Sequence, residues 1–519
     1  MKTFLYCGLL LLAMMTANAL TFAQSNDLPA NDLPELGDSA TQYLNPAQEK
    51  QIGQAFLRQL IRNPSYVEDY PLQDYLQSVG DRVGASANLR GGTLSFNLLK
   101  NNALNAFAVP GGYITFNTGL IMTTKTESQL ASVVGHEIAH LSQRHLPRLL
   151  AKAHENKFPL IAAVIGSILV GGQTGLAGLT AANAAAASSQ LSYTRGFERE
   201  ADAIGIRLLA RARYDPNAMA EFFSELERHA RHDSAQTPAF LRTHPLSFTR
   251  IAESEARARK YPPQDYASSF EFYLAKARIR ALYTERRDDP MAFFQEQMES
   301  EQTEIKGAAM GRSCASCARD IHTIHGNNGG GRATQDAKAD AAIYGAALAL
   351  TQSRKLAQAR TLLTPLSERY PAHPWIQAAL AEIDLADNKV EQAIVRYRTL
   401  ISNNPNKVYL TYYLADAFLL NRQPHLAKKT VRYQIRRHPD LYRLYRFLSR
   451  ANAQQGSLAE AHQADADYHA VLGNYAAAIA SLKLALRESE PEGYLAQSIA
   501  ARLSDLQEKL ALQKKIGKG

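Results

Sequence analysis

Residues 134–141 read VGHEIAHL, and the placement of the two histidines decides how the rest of the chain is read. On an α-helix each residue advances roughly 100°. His136 and His140 then stand roughly 40° apart, one turn above the other on one face. Two imidazoles so placed can grip one metal ion. Glu137 falls roughly 60° to one side of His140, within reach of a water on that ion. The chain holds 14 histidines, enough for this spacing to arise by chance, so the surrounding sequence must supply the context.

A hydrolytic zinc site needs three protein ligands and an open position for water. The run SYTRGFEREADAIGIRLL (192–209) offers Glu198, Glu200 and Asp202 on one expected helix. Glu198 and Asp202 are i and i+4 and share a face, whereas Glu200 points roughly 200° away from Glu198. Glu198 is therefore the expected third ligand. Asp202, one turn on, is expected to orient a ligating imidazole through its free N–H. Glu200 is expected to be a solvated charge paired with Arg199 or Arg207. On a continuous helix His145 would lie roughly 180° around from His136. It cannot then join the metal, and is expected to be structural or exposed.

At 519 residues the chain is too long for one core. A 46% hydrophobic and 21% charged composition describes a globular protein. The net charge of +9 is spread along the sequence, with no basic block of the kind that binds nucleic acid. Residues 1–23 read as a secretory signal: Lys2, an apolar run from Phe4 to Met15, then small-residue sites ending at Ala19 and Ala23. Residues 24–285 form the expected catalytic domain. Within it, TLSFNLLKNNALNAFAVPGGYITFNTGLI (93–121) reads as strand, strand, turn, strand. No charged residue occurs between Lys157 and Arg195, a stretch expected to be a buried helical hairpin, a flap over the site or a membrane contact. Residues 286–339 read as a linker.

From 340 to 510 the chain repeats itself. Ala359, Ala393, Ala427 and Ala461 share a 34-residue step with Pro371, Pro405 and Pro439. That period, with small residues at helix contacts and Pro at the end of a helix, is the tetratricopeptide pattern. An all-α solenoid is expected, separable from the catalytic domain. The linker also carries SCASCARDIHTIHG (313–326). Its Cys-to-His gap is far shorter than that of a zinc finger. A Cys314–Cys317 disulfide is the plainer expectation in an oxidising compartment, beside a metal pair or free thiols.

Taken in order, NAFAVPGGYITFNTGLI (105–121), HEIAH (136–140), FEREAD (197–202) and THPLSFTRI (243–251) resemble the M48 peptidases. The signal and the repeats resemble the periplasmic β-barrel assembly-enhancing branch of that family. The resemblance implies an α+β zincin-like metalloprotease domain, mostly helical with a small antiparallel sheet, ahead of the tetratricopeptide solenoid. It implies one Zn2+ per chain held by His136, His140 and Glu198, with Glu137 as general base and Asp202 as a proton donor. It implies that a substrate chain adds as a strand to the sheet edge near 104–109. His244 and Arg250 become candidates for stabilising an oxyanion, and His244 also for a fourth zinc ligand that keeps the enzyme latent. The implied partners are unfolded or stalled outer-membrane proteins and, through the repeats, the β-barrel assembly machinery. The implied location is the periplasm, at the inner face of the outer membrane, with room for a peripheral membrane contact. A chaperone or adaptor, with proteolysis secondary, is the alternative function.

Overall fold

The computed structural model describes residues 44–87, 89, 93–152, 195–232, 238–284, 290–297 and 330–516. The expected signal, the 158–194 stretch and Cys314 and Cys317 lie outside the described residues. Helix α1 (Pro46–Arg62) starts on a reciprocal cap: Asn45 and Gln48 each accept the other's backbone N–H. Asp69 caps α2 (Tyr70–Gly84) by accepting the Leu72 amide.

Strands β1 (Ser95–Leu99), β2 (Ala106–Val109) and β3 (Tyr113–Asn117) follow in the order β1-β3-β2. The sheet is mixed, not antiparallel as expected: β2 runs antiparallel to β3, but β1 runs parallel to it. The cause is local. Gly111 and Gly112 take φ of 92° and 90°, left-handed values that fold β2 tightly back on β3. That hairpin fills one side of β3. Residues 100–105 carry the chain across to it from β1 on the other side, pinned where Thr118 Oγ1 accepts the Asn101 amide. Among the described residues β3 is the only strand partner of β2, which leaves β2 as an edge.

Among the described residues this half continues with eight helices: α3 (Thr118–Thr123), α4 (Glu127–Ser142), α5 (His145–Lys152), α6 (Arg195–Arg211), α7 (Ala218–His232), α8 (Ala239–Thr243), α9 (Phe248–Ala258) and α10 (Phe270–Tyr283). Helix α4, capped by Thr126, carries the H-E-x-x-H residues, and every residue from Glu127 to His140 is buried. It crosses α6 at two glycines. A Cβ on Gly135 would stand 3.3 Å from the Gly205 carbonyl oxygen, and one on Gly205 would stand 3.3 Å from the His136 amide nitrogen. The two backbones touch because neither position carries a side chain.

The chain is helical again from α11 (Gly330–Gln352) through α12 (Leu356–Arg369), α13 (Pro374–Ala386), α14 (Val390–Asn403), α15 (Tyr409–Leu420), α16 (Pro424–Arg437), α17 (Tyr442–Gln454), α18 (Leu458–Val471), α19 (Tyr475–Arg487) and α20 (Tyr494–Ile516). Residues 330–339, expected in the linker, belong to α11, and 290–297 are also helical. Helices α12, α14, α16 and α18 start in step with Ala359, Ala393, Ala427 and Ala461, all of which are buried.

The two halves share one core. One apolar core runs from Val67 and Leu72 through Leu130 and Phe272 to Tyr344, Trp375 and Ile383. Arg278 on α10 donates to Asp69 at 2.6 Å and to the Tyr344 hydroxyl at 2.9 Å. Further along, Arg58 donates to the Leu472 carbonyl at 2.6 Å and Lys407 to Asp74 at 2.7 Å. Truncation at residue 340 would strip a wall from the shared core rather than release a finished domain.

The glycine crossing makes a specific prediction. Gly205→Val should cost about 1–3 kcal/mol through overpacking, because both the His136 amide and Met219 lie in its way. Thermal unfolding together with metal titration checks it: stability and metal affinity should fall together.

Candidate metal centre

Four buried side chains converge where α4 crosses α6. His136 and His140 come from α4, Glu198 from the first turn of α6, and His244 from the residue that ends α8. One ligand atom from each lies within 4.8 Å of all the others. His140 Nε2 stands 3.0 Å from His136 Nε2, and His136 Nε2 stands 3.3 Å from His244 Nδ1. Glu198 Oε1 lies 3.2 Å from His244 Nδ1 and 3.6 Å from His140 Nε2. Four ligands about 2.0–2.1 Å from a central zinc ion would be spaced at about 3.3–3.4 Å along the edges of a tetrahedron. The donor spacing fits such an ion.

Asp202 Oδ1 stands 3.1 Å from His136 Nδ1, on the side away from the cluster. Arg250, from the third position of α9, is spent on the carboxylates. Its Nε and Nη2 donate to the two Asp202 oxygens at 2.8 Å each, and its Nη1 donates to the Pro245 carbonyl at 2.7 Å and lies 3.0 Å from Glu198 Oε2. These contacts disfavour the expected oxyanion role for Arg250, because its nitrogens are turned to partners already in place. They fix Asp202 and Glu198 instead. Glu137 is 1% exposed, and its Oε1 has no hydrogen-bond partner among the described residues and lies 3.5 Å from His244 Nε2. The Ala108 backbone of edge strand β2 lies beside Glu137 and favours its charged form. The Leu104 carbonyl, at the start of the expected substrate edge, instead accepts the Phe240 amide at 2.9 Å.

Charge follows this geometry. Burial lowers His136, but Asp202 and Glu198 outweigh it and raise it to about 9. Burial holds His140 well below the ordinary histidine value. Burial would raise Glu198 and Asp202, yet His244 and His136 pull the first well down and Arg250 lowers the second. Burial raises Glu137, against opposition from His244 and His136. The cluster thus gathers anionic donors and imidazole nitrogens around a point that favours a cation, with a carboxyl of raised proton affinity alongside.

Two sequence expectations need correction. Helix α4 does not continue to His145. It ends at Ser142, Arg144 takes a left-handed φ of 52°, and α5 starts at His145. His145 thereby folds back and is fully buried, with Nδ1 2.8 Å from His140 Nδ1. Glu200 pairs with neither Arg199 nor Arg207. It reaches across to His145 Nε2 at 3.2 Å and Arg148 Nη1 at 3.0 Å. The crossing glycines were also missed, although an isolated Gly inside each ligand-bearing helix was the available signal.

Comparison with known proteins meets this geometry. Residues 71–258 match the model of peptidase family M48. The chain aligns over 92% of its length with the Beta-barrel assembly-enhancing protease of Yersinia pestis, 32% identical over 483 residues and 92% of the relative. The chain belongs to the M48 peptidases. The Beta-barrel assembly-enhancing protease of Escherichia coli (strain K12) is 33% identical over 480 residues, 92% of this chain and 91% of the relative. The Mitochondrial metalloendopeptidase OMA1 of Schizosaccharomyces pombe is 28% identical over 192 residues, 37% of this chain and 54% of the relative. As an M48 member the chain is a metalloendopeptidase, and the buried His136, His140, Glu198 and His244 form a group able to hold its metal.

The two glutamates on α6 are set apart by position. Glu198→Ala should abolish stoichiometric zinc binding. Glu200→Ala should weaken it by no more than about 10–100-fold, the usual effect of an outer-shell partner. Metal analysis of the dialysed proteins, followed by zinc titration, reads both.

Proposed function

We propose that this chain is a zinc endopeptidase of the periplasm, latent at rest, that removes stalled or misfolded outer-membrane β-barrel proteins. The observation that carries the reading is the closed donor set: three imidazoles and one carboxylate, spaced for a tetrahedron, with a buried carboxyl beside them. His136, His140 and Glu198 would hold the ion. When bound, zinc polarises a peptide carbonyl and brings water to a pKa near 7. His244 is the switch. As a fourth ligand it would exclude water from the metal, and a site with four protein ligands cannot hydrolyse.

Withdrawal of His244 moves its Nε2 off Glu137 Oε1 as well, so one displacement frees both the position for water and the base. Glu137, raised by burial, takes the proton from water at a carboxylate oxygen and passes it to the leaving amine. Asp202, clamped by Arg250, holds the His136 ring by its outer nitrogen. The edge of β2, unpaired with any other strand among the described residues, would give the substrate backbone a strand to pair with, a mode insensitive to side chains. Ala108 of that strand lies beside Glu137, an arrangement that would put a paired substrate's scissile bond near the base.

The helical array from Gly330 to Ile516 supports a tetratricopeptide reading through its regular helix starts and buried alanines. Such arrays expose broad binding faces, and this one is proposed to dock on the assembly machinery. The relatives' name, with alignment over 92% of this chain, supports that partner and the outer-membrane setting. Among the described residues no helix is long and apolar enough to cross a membrane. The same closed site also favours a second reading, in which the chain acts mainly as a chaperone or adaptor and proteolysis is secondary.

The switch assigns opposite signs to two variants. His244→Ala should raise cleavage of an unfolded β-barrel protein or of casein. Glu137→Gln added to it should cut that cleavage by about 10²–10⁴-fold, the scale of a lost general base. If His244 only stabilised an oxyanion, its loss would slow cleavage by about 10²–10³-fold. Rescue of β-barrel assembly by Glu137→Gln alone would favour the chaperone reading.

A further inference from the structure

His136 rests its outer nitrogen on Asp202, the usual arrangement for a ligating imidazole. Behind His140 stands a second histidine, His145, with Nδ1 2.8 Å from His140 Nδ1. His145 is fully buried and stacks on Phe197 at a ring distance of 4.6 Å and an interplanar angle of 14°. Its other nitrogen, Nε2, lies 3.2 Å from Glu200 Oε2, and the same carboxylate oxygen accepts from Arg148 at 3.0 Å. Glu200 is 34% exposed, so this chain of contacts ends at the surface.

We propose that His145 is a positioning residue for the metal: with Glu200 behind it, it fixes the tautomer and ring angle of His140. The proton assignments follow in order from the ion. A neutral His140 that binds through Nε2 carries its proton on Nδ1 and donates it across the 2.8 Å contact. His145 Nδ1 must then be the acceptor, which places the His145 proton on Nε2. That N–H donates to Glu200, whose carboxylate accepts and is held by Arg148. In this arrangement each of these donors meets an acceptor. If the His145 tautomer reversed, two N–H groups would face each other across 2.8 Å, and the His140 ring would have to turn away from the metal. Glu200, the exposed end, is the group that selects the tautomer. The left-handed Arg144 brings His145 back over His140, and Phe197 lies flat against its ring, so position and orientation are both set.

The inference rests on the metal reading above, and its test separates the two. Three full-length variants are compared with wild type for zinc affinity, by competition with a chelator, and for the absorption spectrum of the cobalt-substituted protein. His145→Phe keeps an aromatic ring against Phe197 but has no nitrogen. His145→Gln retains a carbonyl acceptor and an amide donor. Glu200→Gln removes the charge that orders the tautomer. The Phe variant should lose about 10–100-fold in zinc affinity and change the cobalt spectrum, at an unchanged unfolding temperature. The Gln variant should recover part of that affinity, and Glu200→Gln should fall between it and wild type. Wild-type affinity and spectrum in the Phe variant would overturn the proposal. So would equal losses in the Phe and Gln variants accompanied by lower unfolding temperatures, which would mean that His145 only packs. Failure of wild type itself to bind zinc would sink the metal reading instead.

Discussion

The contact between Gly135 and Gly205 sets the terms for the rest of the site. Helices in proteins ordinarily pack with axes about 8–10 Å apart, a distance set by the side chains between them. Here the crossing point has none. The α6 backbone comes against the amide of His136 itself, and within two turns of that point Glu198 and Asp202 reach opposite sides of the same imidazole. Asp202 meets Nδ1 at 3.1 Å, and Glu198 lies 3.5 Å from Nε2. A side chain of ordinary size at the crossing would open these distances together. The glycines lower helix propensity in two buried helices, and what the fold gains is the close approach that brings the donors onto one point.

That approach concentrates charge where water does not reach. His136, Glu137, His140, Glu198, Asp202, His244 and Arg250 are all buried. Burying ionised groups is unfavourable unless each meets a partner. Arg250 neutralises Asp202 and lies against Glu198, and His136 carries raised proton affinity between the same two carboxylates. A divalent ion at the centre would take over the work of that proton and satisfy the remaining lone pairs. The same logic explains why His244 suits a resting state. As a fourth ligand it would complete the shell and shield Glu137, so that the proposed resting enzyme would hold a reactive centre without exposing it.

Much of this was legible in the sequence because it is periodic or local. The H-E-x-x-H spacing, the shared face of Glu198 and Asp202, and the step of the alanines from Ala359 to Ala461 all follow from helix geometry alone. The parallel pairing of β1 was not legible, since alternation tells which face a strand residue takes and not which strand lies beside it. His145 was misplaced because a helix was extended through Arg144, which adopts a left-handed φ with no glycine to announce it. The joint between the halves was hidden for another reason. Tyr344 and Trp375 look like interior residues of any helical array, and only the fold reveals that they complete a core begun by Val67 and Leu72. Tertiary partners of that kind leave no periodic trace.

The central claim is that one ion sits in a closed shell of four side chains drawn from three separate helical segments. Crystallography of the full chain with data collected across the zinc absorption edge tests it most directly. The account predicts a single anomalous peak, bonded to His136 Nε2, His140 Nε2, Glu198 Oε1 and His244 Nδ1 in a tetrahedron with no water on the metal. A peak bonded to water in place of His244 would contradict the resting-state switch, and a peak at Glu200 or away from α4 would contradict the site itself.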